Sequence, residues 1–274
     1  MDKPIGVMDS GVGGLTVVRE LNRQLPKEEI VYFGDTLRCP YGSRSPEEVK
    51  DYTWEMTKFL QNLHVKMLVI ACNTATAFVL EEIKTELDIP VVGVIHPGAR
   101  SAIKVTKNNR VGVIGTEGTI NSGAYFDALK NINPDIVVES VACPLFVPMV
   151  ENGSLSGLET EKTIRSSLSG FSNFDMDTLI LGCTHYPLLR EAIQQVVGPE
   201  VQLICSGIET AREVSTVLHH SSLLFTGERE PAHRLFTSGR PALFARMAKQ
   251  WLDVPFQIEP AVLSQSMVTH VHGD

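Results

Sequence analysis

Residues 71–77 read ACNTATA and residues 182–188 read GCTHYPL, each directly after a short apolar run, MLVI at 67–70 and TLIL at 178–181. Cys72 and Cys183 therefore stand in matching local settings, 111 residues apart. A single cysteine at a strand end is ordinarily a small buried side chain. Two in equivalent places, each flanked by polar groups (Asn73 and Thr74 at one, Thr184 and His185 at the other), suit a particular chemistry. Inverting a stereocentre with an acidic hydrogen takes one group to remove a proton and a second to deliver one to the opposite face. A thiol/thiolate pair does this in both directions, because the reference thiol pKa of about 8.5 is tunable by its surroundings. Such a site needs no metal or cofactor, and none is expected.

Other stretches offer groups that could hold the reacting molecule. DSGVGGLT at 9–16 is neither GxxxxGK[ST] nor GxGxxG. Its glycines let backbone approach a ligand, and Asp9 at the strand end could meet an ammonium group, orient a thiol or cap the next helix. CPYGSRS at 39–45 puts Tyr41 and Gly42 in a turn that could line a pocket. GTEGT at 115–119 presents Thr116 and Thr119 where a helix opens, suited to a carboxylate. Glu151, in VENG at 150–153, reads as a loop carboxylate of little weight on its own. His185, two residues from Cys183, is a natural proton-handling neighbour of a thiol or a hydrogen-bonding residue before Pro187. His96 reads as structural, and His219, His220, His233, His270 and His272 show no partner pattern.

These groups need a scaffold, and strand and helix signals alternate along the chain. Strands are expected at 4–9, 30–35, 66–71, 91–95, 110–115, 135–141, 178–182 and 201–205, the last six read as buried. Helical spacing runs through LTVVRELNRQL at 15–25. SPEEVKDYTWEMTKFLQNL at 45–63 opens with Ser45 as cap, Pro46 at the first position and Glu48 completing a capping box. Its expected apolar stripe is Val49, Tyr52, Met56, Phe59 and Leu63. The alternation predicts an α/β fold with largely parallel sheets and ligands at the carboxyl ends of the strands. GVMDSGVGGL (6–15) echoes GVIGTEGTI (112–120), and VIACNT (69–74) echoes ILGCTH (180–185). The near-equal offsets suggest two related halves, with chance repetition of strand–Gly–turn patterns as the rival.

The bulk properties exclude several classes. The 274 residues are 43% hydrophobic, enough for one large or two medium domains. A net charge of −8 spread along the chain argues against a nucleic-acid partner. No apolar run reaches the ~18–20 residues of a membrane span. The start runs straight into a strand-like segment, which reads as cytoplasmic. Five cysteines (Cys39, Cys72, Cys143, Cys183, Cys205), without CxxC or HExxH spacing, argue against a disulfide framework or a zinc site.

Taken together, IGVMDSGVGGLTVVREL, YFGDTLRCPYGSRS, LVIACNTATA, VVGVIHPGA, VGVIGTEGTI, PLFVPMVENG, LGCTHYPLL and FTSGRPALFARMAKQWL resemble, in order, the bacterial glutamate racemases. These belong to the wider aspartate/glutamate racemase group. The resemblance implies two pseudo-symmetric α/β domains, 1–96 plus 208–274 and 97–207, with the active site in the cleft between them. It also implies cofactor-independent interconversion of L- and D-glutamate, supplying D-glutamate for peptidoglycan, in a protein that is often a homodimer. By position, Cys72 looks like the base for D-glutamate and Cys183 the base for L-glutamate. Asp9, Glu151 and His185 match residues that assist the thiols or position the amine. Asp9, Ser10, Tyr41, Gly42, Asn73, Thr74, Thr116, Thr119, Thr184 and His185 match substrate-contacting positions. Two departures stand out: Leu37 replaces a common Ala, and Cys205-Ser206-Gly207 replaces a common Asp-Ser-Gly. No catalytic role is assigned to Cys39, Cys143 or Cys205. The rival readings are a racemase of another acidic amino acid such as aspartate, a cysteine-nucleophile hydrolase using Cys183 and His185, and a two-lobed binding protein. The last two leave the paired thiols unexplained.

Overall fold

The computed structural model describes residues 2–263; His270 and His272 lie outside them. The chain first forms β1 (Ile5–Asp9), α1 (Leu15–Gln24), β2 (Ile30–Gly34), α2 (Pro46–Asn62), β3 (Met67–Ile70), α3 (Asn73–Glu86), β4 (Val91–Gly93) and α4 (Ile95–Val105). It continues through β5 (Arg110–Gly115), α5 (Glu117–Asn121), α6 (Ala124–Ile132), β6 (Val137–Ala142), α7 (Phe146–Glu151), α8 (Leu158–Ser167), β7 (Thr178–Gly182), α9 (Arg190–Val197), β8 (Gln202–Cys205) and α10 (Ser206–His220). β9 (His233–Thr237), α11 (Pro241–Trp251) and β10 (Phe256–Pro260) close the described chain.

Two sheets result, and every strand pairing in them is parallel. The larger has the order β10-β9-β2-β1-β3-β4 and the smaller β6-β5-β7-β8. The segments β2-β1-β3-β4 and β6-β5-β7-β8 thus repeat one arrangement, which gives the sequence echo a structural counterpart. The strands ending at Cys72 and Cys183 occupy equivalent positions, each beside the first strand of its set. β9 and β10 return late in the chain to extend the larger sheet on its β2 edge. No helix among the described residues is long and apolar enough to cross a membrane.

Ser45 accepts the Glu48 amide at 3.2 Å while Glu48 accepts the Ser45 amide at 3.1 Å, so the expected capping box starts α2. Its buried face differs from the expected stripe. Val49, Met56 and Leu60 are buried together with Thr53 and Thr57, while Tyr52, Phe59 and Leu63 are only partly covered. Thr53 and Thr57 fit an apolar face because their hydroxyls donate to the carbonyls of Val49 (2.6 Å) and Thr53 (2.8 Å), four residues back. β6 is also a correction: Val137 is 45% exposed, because this strand pairs only with β5 at the edge of the smaller sheet. The central strands β1, β2, β3 and β7 are buried along their whole length. Their carboxyl ends therefore form a firm floor for whatever sits above them.

Candidate active site

The carboxyl ends of the two sheets face each other, and the loops above them interlock through polar contacts. Thr16 Oγ1 donates to the Thr184 carbonyl at 3.0 Å, and Thr184 Oγ1 donates to Asp9 Oδ1 at 3.3 Å. On the other flank, the Thr74 hydroxyl lies 2.9 Å from that of Thr116 and 3.1 Å from that of Thr119. Between these contacts is a small cavity of about 20 Å³. Its wall includes Ser10, Tyr41, Gly42, Cys72, Asn73, Thr74, Thr116, Cys183, Thr184 and His185. Both thiols therefore face one space, from opposite sheets. A larger cleft of about 380 Å³ lies on another side of the Cys183–Thr184 segment, between α1, β8 and α10. It is lined by Arg19, Arg190 and Arg212 but not by Cys72, so it does not unite the thiol pair.

Cys72 caps α3: its Sγ accepts the Ala75 amide at 3.4 Å and contacts Ser10 Oγ at 3.7 Å. A helix end can lower the pKa of a thiol that caps it, but that effect does not prevail here. Burial pushes the thiol up to about 12, the Asp9 carboxylate adds to the rise, and the Ala75 amide and Ser10 hydroxyl only partly oppose it. The ionised form loses more by leaving water than it gains from one amide and one hydroxyl. Cys183 is placed differently. It is not a helix cap, because a 3₁₀ turn (Tyr186–Leu189) intervenes before α9. Its polar neighbour is the His185 ring, with Nδ1 at 3.9 Å from Sγ.

His185 connects Cys183 to Glu151, whose Oε1 lies 3.3 Å from His185 Nε2. Burial alone would lower the imidazole pKa, but the hydrogen bonds to Cys183 and Glu151 outweigh it and raise the value to about 10. In turn the His185 hydrogen bond holds the Glu151 carboxyl below its ordinary range, against the opposing effect of partial burial. Glu151 ends α7 rather than standing in a loop, and its side chain is 40% exposed. The weak signal at VENG came from reading it without its partner. The Trp251 ring of α11 meets His185 edge-on, with centroids 6.4 Å apart.

Asp9 does not cap α1. Its Oδ2 accepts the Gly11 amide at 3.0 Å, inside the glycine-rich turn. It is fully buried and outside the cavity wall, and burial lifts its pKa above the ordinary carboxylate value, the His185 charge opposing. Gly13 is forced to be glycine by proximity: a β-carbon there would run into Thr184 Oγ1 and the His185 ring. Gly42 is similarly pressed against the Thr116 side chain. Asn73 receives the Tyr125 hydroxyl on Oδ1 at 2.8 Å, while its buried Nδ2 has no protein partner. Thr119 is buried behind Thr116 and outside the cavity wall. Tyr41 lines the cavity but commits its hydroxyl to Asp35 Oδ2 at 2.5 Å. Asp35 and Tyr125 drew no sequence signal, since each acts through a contact 6 or 52 residues away in the chain. Among the remaining histidines, His96, His219 and His220 are exposed, and buried His233 accepts the Ile30 amide on Nδ1 at 3.2 Å. At the Cys205 departure, Arg190 Nη1 approaches Sγ at 3.2 Å, so the thiol takes a guanidinium contact.

Two parallel-sheet units whose carboxyl ends meet over a pair of cysteines define a two-lobed α/β architecture. The model of the Asp/Glu/Hydantoin racemase family matches residues 5–214, and the chain belongs to that family. Glutamate racemase of Bacillus cereus is 58% identical over 257 residues, covering 94% of this chain and 96% of the relative. That of Oceanobacillus iheyensis is 60% identical over 250 residues, 91% of each chain. Among solved structures, a Bacillus anthracis glutamate racemase isoform superposes with a TM-score of 0.92 at 48% identity, covering 95% of this chain and 98% of its own. Glutamate racemase of Francisella tularensis, solved in complex with D-glutamate, gives 0.89 at 37% identity, covering 96% and 98%. An aspartate racemase from Picrophilus torridus, at 17% identity and a TM-score of 0.54, shares the fold alone.

Proposed function

We propose that the chain interconverts L- and D-glutamate without a cofactor, by proton transfer between the substrate α-carbon and two thiols. The observation that carries the reading is the placement of Cys72 and Cys183 on one cavity, at equivalent strand ends of two like sheets. One sulfur takes the α-proton as thiolate while the other, as thiol, gives a proton to the opposite face. The reverse turnover exchanges the roles, so the enzyme ends in a state that accepts the product enantiomer. Cys183 serves L-glutamate and Cys72 serves D-glutamate. His185 and Glu151 support Cys183; Asp9, through Thr184 and the Gly11 amide, holds the turn that carries Ser10. The free Nδ2 of Asn73 and the hydroxyls of Ser10, Thr74 and Thr116 supply donors for carboxylate oxygens; Thr119 supports Thr74 and Thr116, and Thr184, whose hydroxyl is donated to Asp9, lines the wall beside the substrate.

The cavity volume of about 20 Å³ is room for about one water molecule. Glutamate therefore enters as the lobes, 1–96 plus 208–274 and 97–207, part along the cleft. With the α-carbon between the sulfurs, the ammonium it carries would also favour the thiolate that burial disfavours. We place the enzyme in the cytoplasm as a homodimer that supplies D-glutamate for peptidoglycan. The glutamate substrate is favoured over aspartate by relatives at 52–60% identity that are glutamate racemases.

In deuterated water with no added cofactor, L-glutamate should give D-glutamate carrying deuterium at the α-carbon, with aspartate turned over far more slowly. Cys72→Ala and Cys183→Ala should each abolish racemisation in both directions while keeping the circular dichroism of the parent. Near-normal turnover by either variant refutes the two-thiol mechanism.

A further inference from the structure

Cys39 precedes the Tyr41 turn and was given no role by its sequence context. Its Sγ lies 3.7 Å from Glu151 Oε1, the same oxygen that sits 3.3 Å from His185 Nε2. The contacts run in series: Cys39 to Glu151, Glu151 to His185, His185 to Cys183. Glu151 is the exposed member of this chain, with 40% of its side chain open to solvent, so it needs a second contact to stay on the imidazole. The backbone at Gly11 closes over the Cys39 sulfur, since a β-carbon on Gly11 would lie 2.8 Å from it. That packing confines the thiol and aims it across the lobes.

We propose that Cys39 is a positioning residue: its S–H donates to Glu151 Oε1 and holds that carboxylate against His185, which in turn stays beside Cys183. The proposal rests on the two-thiol reading of the site. Several ionisable groups act on this chain, alongside the Trp251 ring that lies edge-on to His185. Asp9, Cys72 and Cys183 act on Cys39 along with Glu151; Asp9, Cys183 and Glu151 act on His185; His185 and Cys39 act on Glu151. Tyr32, which donates to the Gly11 carbonyl at 2.7 Å, lies within the field of Asp9, Cys39 and Cys72. Losing the Cys39 donor frees Glu151 to turn towards water, which weakens the support of the imidazolium by its carboxylate.

The test compares Cys39→Ala, Cys39→Val and Cys39→Ser in the full chain. Val approximates the thiol volume without a donor, and Ser restores one. The Ala and Val variants should lose about three- to tenfold in kcat with little change in KM, the scale of one modest hydrogen bond. NMR titration of the His185 imidazole, assigned through its loss in His185→Gln, should shift down by about half a pH unit in Ala and Val. The Ser variant should lie close to the parent on both measures. An unmoved His185 titration in Ala and Val, or a Ser variant indistinguishable from Ala, overturns the proposal. If Ala fails to fold, Val against Ser decides it. Because the NMR readout needs no turnover, a parent that fails to racemise glutamate would sink the functional reading while leaving the Cys39 contact separately decided.

Discussion

The clearest quantitative consequence concerns the ionisation of Cys72 in the ligand-free protein. At pH 8 an ordinary thiol of pKa about 8.5 is roughly one quarter thiolate. Cys72, held near 12 by burial and by Asp9, would be ionised in about one molecule in ten thousand at that pH. A more basic thiolate is intrinsically more nucleophilic, and a Brønsted slope near 0.4–0.5 returns about fortyfold of that roughly two-thousandfold deficit. The net expectation at pH 8 is reaction with a small neutral disulfide about fiftyfold slower than an ordinary thiol, before any effect of access. Access is removed by using the slope. From pH 8 to pH 10 the Cys72 rate should rise about a hundredfold, whereas an ordinary thiol rises only about fourfold before levelling off. The assay is timed reaction with dipyridyl disulfide, quench, digestion and mass spectrometry of the peptide containing Cys72. Asp9→Asn removes the second-largest cause of the rise and should move the curve towards lower pH, leaving the effect of burial in place. A Cys72 curve that levels off below pH 10, or one insensitive to Asp9→Asn, refutes the reasoning that burial and the Asp9 charge set this thiol.

Two further substitutions separate the site from the scaffold. Gly13→Ala drives a methyl group into Thr184 and His185 across the cleft. It should cost about 1–3 kcal/mol in urea unfolding and, by displacing His185 from Cys183, far more in turnover than that loss of stability explains; racemisation within twofold of the parent would show the contact to be slack. Ser45→Ala removes the α2 capping box away from the cavity. It should lower stability by about 1 kcal/mol with racemisation unchanged, measured by urea unfolding alongside the glutamate assay.

Much of the scaffold was legible in the chain because its signals are local. The capping box at Ser45 and Glu48 depends on residues three apart, and the strands at 110–115 and 178–182 are apolar runs bounded by turns. Where a boundary or burial was misread, a longer-range contact decided it. β6 has the composition of a buried strand but lies at a sheet edge, and Thr53 and Thr57 are polar by type yet buried because their own helix satisfies them. The site shows the same division. Cys72 and Cys183 announce themselves by repetition, and Thr184 and His185 by adjacency. Glu151 gained meaning only from His185, and Asp35 and Tyr125 only from Tyr41 and Asn73.

The alternation of strands and helices, the duplicated strand–cysteine motif and the polar neighbours of each thiol are written in the chain. All of these are set by spacing along the backbone. Tertiary structure alone decided that the two cysteines share one cavity and that Cys183 leans on His185 and Glu151. It also decided that Cys72 is a high-pKa thiol despite capping a helix. The physical reason is that desolvation and through-space charge depend on what surrounds an atom in three dimensions, and residues as distant as Asp9 and Thr184 supply those surroundings.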